Sequence, residues 1–480
     1  MQLGFVQFNI TPLVSSVNES KCIYLSITNL SGVFMLSLCK KNPLITGTLI
    51  LTITGFASRF IGFFYRIFLS RVFGAEGMGI YQLTSPVLAL SFSLTVAGMQ
   101  TAISKYVAGE TISKNYRYSF FHLFTGFVIS MFLSVLCTVG IYCYADEIAA
   151  CFLMEERTAP LLRIISLSIP MATVHSCVNG YFYGIRKTTI PSACQLAEQL
   201  VRVGSVYIIY AFCLQRGMVP TISFAVVGLV IGESASMIVS LIAVKAHFSH
   251  VLPENYGPLL SFGEYSFFQA SKRLLKLALP LSLNRIIINF LQSIEAIFIP
   301  NRLMSYGYDQ PSALSTYGIL TGMSLPLILF PSAITNSICV LLLPLVSEAD
   351  AGGNQKAIKK AVRKTVQYGF WLGIFFTAVF LLGGKILGNL LYQDALAGNF
   401  IMILSFLCPL MYIASTLNSI LNGLGKTGLT FLYSMISLLV RLLFVFFVIP
   451  LMGINGYLWG LLVSQLVQTL LCMFAVRHYY

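Results

Sequence analysis

Ionisable side chains are scarce in this chain, and several stand inside long apolar runs. Arg59, Glu198, Arg202, Glu233, Arg285, Glu295 and Arg441 lie near the middle of such runs, with Arg66 and Arg302 nearer their ends. A charge in that setting needs a partner or a water-filled cavity. Arginine dominates the set. Its guanidinium stays protonated in any protein site and offers a planar fork of donors suited to phosphate. A cavity lined this way takes an anion, and a pyrophosphate headgroup fits it well. The glutamates Glu198, Glu233 and Glu295 are candidates for cavity carboxylates or ion coupling. A structural reading competes: Glu198 and Arg202 are four apart on one helix and can neutralise each other. Arg59 can pair with Glu233 or Glu295 as a packing contact, and Arg66 and Arg302 can snorkel to headgroups.

Other chemistries lack their residues. The eleven cysteines are scattered without a C-x-x-C pair, so neither a disulfide framework nor a metal site is expected. His247 and His250 have no carboxylate at ligand spacing. No constellation names a reaction, so the chain does not read as an enzyme and no cofactor is expected. N-G-L-G-K-T at 422–427 is a helix-end turn, not a nucleotide-binding loop. Any transport then draws on an ion gradient, the membrane potential or the lipid gradient itself.

These residues must be held by membrane helices. Of the 480 residues 57% are hydrophobic and 10% charged, with a mean hydropathy of +0.83, against about 25% charged in a soluble domain. Apolar stretches of about 20 residues recur, the length that crosses a bilayer. The spans read 44–69, 79–107, 118–142, 160–184, 190–213, 221–246, 275–300, 314–346, 366–391, 399–423, 428–450 and 455–476. None shows the alternation of a barrel strand. The formal charge of +14 sits in short clusters between spans, the placement of loops held on the cytoplasmic side and not of a nucleic-acid surface. Lys40, Lys41, Lys114, Arg117, Arg186, Lys187, Lys356, Lys359, Lys360 and Arg477 fall on one side, and Arg71, Arg157, Arg216 and Arg302 on the other. The chain is expected in a bacterial cytoplasmic membrane with both termini on the cytoplasmic side. Residues 1–43 read as an extension, either disordered or assigned too far upstream of a start at Met35.

An internal repeat sets the architecture. Pro170, Asn179, Gly184, Lys187 and Thr188 meet Pro409, Asn418, Gly423, Lys426 and Thr427 at a constant offset of 239, which also places Arg202 on Arg441. That conservation between halves makes Arg202 and Arg441 the leading substrate candidates. Nearer the start, an offset of 236 places Arg66 on Arg302 and Tyr81 on Tyr317. The expected fold is an all-α polytopic protein of about twelve helices in two parallel six-helix repeats. Its lobes are 44–248 and 275–480, joined by a cytoplasmic linker at 249–274. Pro86, Pro326 and Pro331 fall within spans two and eight, where a missing backbone hydrogen bond offers a hinge or a fixed kink.

Residues 47 to 83, G-T-L-I-L-T-I-T-G-F-A-S-R-F-I-G-F-F-Y-R-I-F-L-S-R-V-F-G-A-E-G-M-G-I-Y-Q-L, closely resemble the stage V sporulation protein B family. That family belongs to the multidrug/oligosaccharidyl-lipid/polysaccharide (MOP) superfamily, and the resemblance covers nearly the whole chain from about residue 44. It implies a MATE-like V of two lobes and a flippase for an undecaprenyl-pyrophosphate-linked glycan, a peptidoglycan precursor or polysaccharide unit used in spore-cortex or cell-wall synthesis. The implied partners are that substrate, membrane lipids and cell-wall synthesis enzymes. By position Arg59 and Arg66 match the cavity arginines of relatives that flip lipid II. Two features depart from those relatives: Tyr65-Arg66 stands where they often carry Arg-Asp, and twelve helices stand where many have fourteen. The alternatives are a cation-coupled multidrug exporter and a non-transporting membrane scaffold in spore formation.

Overall fold

The computed structural model describes residues 43–112, 116–251 and 267–479. The extension at 1–43, apart from its last residue, and most of the linker at 249–274 lie outside the described residues. Among those described, every regular element is a helix, as a chain in hydrocarbon requires when each segment must satisfy its own backbone.

Two arms, α1 (43–73) and α2 (75–112), turn at Gly74, whose φ of 69° and ψ of −178° are open to a residue without Cβ. Four helices complete the first half: α3 (Tyr116–Cys143), α4 (156–184, bent by 44°), α5 (Thr189–Gln215) and α6 (Ser223–Val251). The second half holds α7 (Phe267–Tyr306), α8 (310–351, interrupted at 330–331), α9 (Gln355–Leu387), α10 (395–423, bent by 50°), α11 (427–452) and α12 (Ile454–Tyr479). Among the described residues ten helices are long and apolar enough to cross a membrane, and twelve when the two bent pairs count as spans. Leu382, Leu451 and Phe268 are at least 75% exposed; such surfaces belong in hydrocarbon, not water. The chain is a multi-pass membrane protein.

The halves are related by contacts that repeat at the offset of 239. Thr138 Oγ1 donates to the Ser166 carbonyl at 3.1 Å, and Thr377 Oγ1 to the Ser405 carbonyl at 2.9 Å. Gly184 lies against Ser104 and Val107, as Gly423 lies against Leu343 and Val346. Where α2 crosses α8 the relation becomes a two-fold contact. A Cβ on Gly79 would stand 2.2 Å from the Leu314 carbonyl oxygen, and one on Gly318 would stand 2.1 Å from that of Ala75. The crossing therefore runs at 239, not at the 236 aligned from the sequence. Tyr81 and Tyr317 are not symmetry mates: Tyr81 lines a cavity, while Tyr317 is buried.

Packing divides the molecule along its length. At the end bearing Gly74 and Gly307, a single apolar core joins both halves, running from Leu69 and Met78 through Leu314 and Leu320 to Tyr457. Toward the other end the core splits. One cluster holds Ile103, Val107 and Tyr181 with Leu274 and Ala278 of α7; a separate one holds Val346, Leu417 and Cys472. Apart from the start of α7, which packs on α2, the lobes are thus joined at one end and separate at the other, a V in section. Three polar contacts reinforce the joined end. Arg71 donates from Nε to the Leu391 carbonyl at 2.8 Å and from Nη2 to that of Leu390, and Gln310 Nε2 donates to Glu155 Oε2 at 2.8 Å.

The prolines fall differently. Pro86 is buried within α2, about two turns before a π-helical segment at Ser93–Ala97. Pro326 opens the short helix that follows another π segment at Ile319–Ser324. Pro331 is not inside a helix as its position in span eight implied; it caps Ser332–Ala351 at the interruption of α8.

Candidate functional site: a cationic cavity between the lobes

Between α1, α2, α5 and α8 lies a cavity of about 670 Å³. Arg59, Tyr65 and Arg66 reach it from α1, Tyr81 and Gln82 from α2, Gln195, Gln199 and Arg202 from α5, and Pro326 and Asn336 from α8. Arg59 and Arg66 are seven residues apart, so they share one face of α1 with a rise of about 10.5 Å between them. With its amide oxygen turned toward α1, Asn336 accepts from Arg59 Nη1 at 2.9 Å and Nη2 at 3.2 Å. Neither Arg59 nor Arg66 has a carboxylate partner among the described residues. The pairing of Arg59 with Glu233 or Glu295, the competing structural reading of the sequence, does not form, because both glutamates are held elsewhere.

Arg202 differs. Its Nη2 lies 2.5 Å from Glu198 Oε1 on the same helix and 3.5 Å from Glu233 Oε1 on α6. Glu233 Oε2 is in turn 2.8 Å from His175 Nε2 on α4. Glycine makes this convergence possible: a Cβ on Gly228 would meet Val206 at 2.0 Å, and one on Gly232 would meet Arg202 Cβ at 2.9 Å. These two glycines, four apart, let α6 settle against α5 as small residues do at membrane-helix contacts. Donor atoms of His175, Glu198 and Glu233 lie within 4.8 Å of one another, a spacing that a metal ion could use. The guanidinium of Arg202 already supplies positive charge there, so the set does not fit a resident metal.

The remaining candidates lie outside the cavity lining. Arg441 Nη2 is 3.2 Å from Glu295 Oε2, and Tyr457 Oη donates to Glu295 Oε1 at 2.8 Å. This buried triad ties α11 and α12 to α7. Arg285 is exposed on α7; its neighbour Ile286 lines a separate apolar recess of about 500 Å³ between α2, α3 and α7. Arg302 lies 5.3 Å from the Phe446 ring centroid and 5.8 Å from that of Phe298, a cation–π setting. The structure thus brings Arg59, Arg66 and Arg202 together, groups Glu198 and Glu233 behind Arg202, and sets Arg285, Glu295 and Arg441 apart. His175 and Asn336 were not singled out from the sequence. A signal for His175 existed, since the second repeat carries Ala414 at the same register.

The two-lobed arrangement is the fold of MOP-superfamily transporters. It matches an inward-facing multidrug resistance MATE family transporter with a TM-score of 0.68 at 14% identity, over 88% of this chain and 95% of that one. It matches the lipid II flippase MurJ in an inward closed conformation with a TM-score of 0.67 at 15% identity, over 89% and 87%. Residues 44–350 match the model of the polysaccharide biosynthesis protein family, and the chain belongs to that family; residues 280–447 also match the MatE model. Among relatives in Bacillus subtilis (strain 168), stage V sporulation protein B is 28% identical over 90% of this chain and 83% of its own length. Lipid II flippase MurJ from the same organism is 23% identical over 87% and 79%.

Proposed function

We propose that this protein moves a lipid-linked anionic glycan across the bacterial cytoplasmic membrane by alternating access. Its substrate is a peptidoglycan precursor or polysaccharide unit carried on undecaprenyl pyrophosphate, used in cell-wall or spore-cortex synthesis. One observation carries the reading: Arg59 and Arg66 share a face of α1, open on a cavity between the lobes, and have no carboxylate partner among the described residues. Two uncompensated guanidinium groups in a low-dielectric setting favour an anionic occupant strongly, and a diphosphate matches their charge. The relative named for lipid II flipping supports this substrate class, and the one named for sporulation supports the spore-cortex setting. We place the lobes at 44–248 and 275–480 and both termini in the cytoplasm, so that the joined end faces outward and the open end faces the enzymes that make the substrate.

The test is transbilayer movement of a lipid-linked peptidoglycan precursor in liposomes holding the purified protein, with Arg59→Ala, Arg66→Ala and the double variant beside it. Movement in wild type and loss in the folded double variant is expected. An inert wild type beside a working control flippase would remove this substrate. The Glu198, Glu233 and His175 set keeps a cation-coupled exporter as the second reading, which drug efflux in a sensitised strain would reveal.

A further inference from the structure

Behind the cavity arginines stands a group of titratable side chains for which anion binding alone has no use. His175, Glu198, Arg202 and Glu233 come from three helices and form a continuous chain of polar contacts. Two carboxylates face one guanidinium. The set carries one net negative charge when His175 is neutral and none when the imidazole is protonated. Enclosed among apolar helices, an uncompensated charge is disfavoured, and the set balances its charges only with one proton held on the His175–Glu233 hydrogen bond.

Arg202 is the member that can leave. It lines the cavity shared with Arg59 and Arg66. Both of its ionic contacts run through Nη2, and its Nε is buried without a hydrogen-bond partner, as is His175 Nδ1. The guanidinium is therefore held by one corner only. The other ionisable neighbours of Arg202 and Glu198 are Tyr65 of α1, Tyr81 of α2 and Cys194 of α5. None of them brings a second cation to the carboxylates.

We infer that Arg202 is an arm shared between two sites, and that its transfer to a diphosphate in the cavity is coupled to uptake of a proton by the carboxylates it leaves. In the resting state Arg202 compensates Glu198 and Glu233. A diphosphate on Arg59 and Arg66 attracts the same guanidinium. Its departure leaves two carboxylates against one imidazolium, and a proton from water, accepted by a Glu198 carboxylate oxygen, restores neutrality. Release of the substrate returns Arg202 and expels that proton. By reciprocity, raising the proton concentration strengthens binding of the anion. The inference rests on the proposed anionic substrate and adds how its passage is tied to protons.

Binding calorimetry tests it. The probe is a short polyprenyl-diphosphoryl-N-acetylglucosamine, whose two substituted phosphates do not titrate between about pH 6 and pH 8. It is titrated into the full-length protein in sodium-free detergent buffers of differing ionisation enthalpy. Wild type should take up about one proton per ligand bound, and its affinity should fall about tenfold per pH unit on the alkaline side. The Glu198→Gln/Glu233→Gln double variant should bind, whatever its affinity, with no linked proton. Arg202→Gln, which leaves the carboxylates but removes the arm, should also bind without a linked proton. Wild-type binding without proton uptake overturns the coupling and leaves the proposed function standing. An uptake that survives in Arg202→Gln overturns the role of Arg202. Absence of any binding removes the anionic substrate, and the coupling with it.

Discussion

Replacing Gly79 and Gly318 together by alanine should drive the lobes apart at the end where they now meet. Each new Cβ would stand 2.2 Å or 2.1 Å from a backbone carbonyl oxygen of the opposing helix, against an ordinary carbon–oxygen contact of about 3.3 Å. The obstacle is backbone, so the helices must separate by about 1 Å, and such overpacking costs about 1–3 kcal/mol per site. Alanine also favours helix by about 1 kcal/mol over glycine. That gain applies equally whether the lobes are joined or parted, and it cancels in the equilibrium between them. The lower bound for two sites, about 2 kcal/mol, shifts the joined-to-parted ratio about 30-fold. Spin labels at Val219, in the loop after α5, and Leu451, in the last turn of α11, both exposed at this end, report the separation by pulsed dipolar spectroscopy once the exposed Cys143 and Cys151 are replaced. The distribution should move to longer distances in the double variant. Gly109→Ala, where a Cβ meets nothing within 4 Å, should leave it unchanged. An unaltered distribution in the folded double variant would refute the reasoning that this crossing locks the joined end.

Other outcomes follow from named contacts. Arg441→Ala should lower stability by about 3–5 kcal/mol, because it strands the buried Glu295 carboxylate; thermal unfolding of Arg441→Leu/Glu295→Leu should recover most of that loss. Asn336→Asp places a carboxylate where an amide oxygen now meets Arg59 at 2.9 Å. Anion affinity, read by the same calorimetry, should fall at least about tenfold, since a charged hydrogen bond contributes about 1.5–3 kcal/mol. Glu155 gives a pH test at the joined end. Burial pushes its carboxyl up, but hydrogen bonds from Arg157 and Gln310 outweigh burial and hold it below the usual glutamate value. A carboxylate lowered in this way stabilises the contact fully above its ordinary range and loses that contribution as pH falls through the lowered value. The spin-label distance should therefore lengthen on acidification in wild type and stay flat with pH in Glu155→Gln.

Much of this architecture is legible in one dimension, and the candidate site much less so. Runs such as 118–142 and 428–450 are apolar over a bilayer's thickness, and hydrocarbon permits them one backbone solution. The repeat at 239 aligned Pro170 with Pro409 and Arg202 with Arg441 before any contact was known; Thr138–Ser166 and Thr377–Ser405 then obey the same spacing. The sequence also reduced the chemistry to a few intramembrane charges, because lipid penalises each of them wherever the chain places it.

What it could not decide was which charges are compensated. Arg202 and Arg441 look alike along the chain, yet one borders the cavity with Glu198 and Glu233, and the other sits in a buried triad with Glu295 and Tyr457. Arg59 reads as a packing residue or a binding residue until the rotation of α1 and the approach of α8 set Asn336, and among the described residues no carboxylate, beside it. His175 is marked in sequence only by Ala414 at its register in the other half; it meets Glu233 only where α4 packs on α6. Span and repeat are properties of consecutive residues, whereas compensation of a charge depends on helix rotation and on which lobe faces which. Those are settled only when the helices pack.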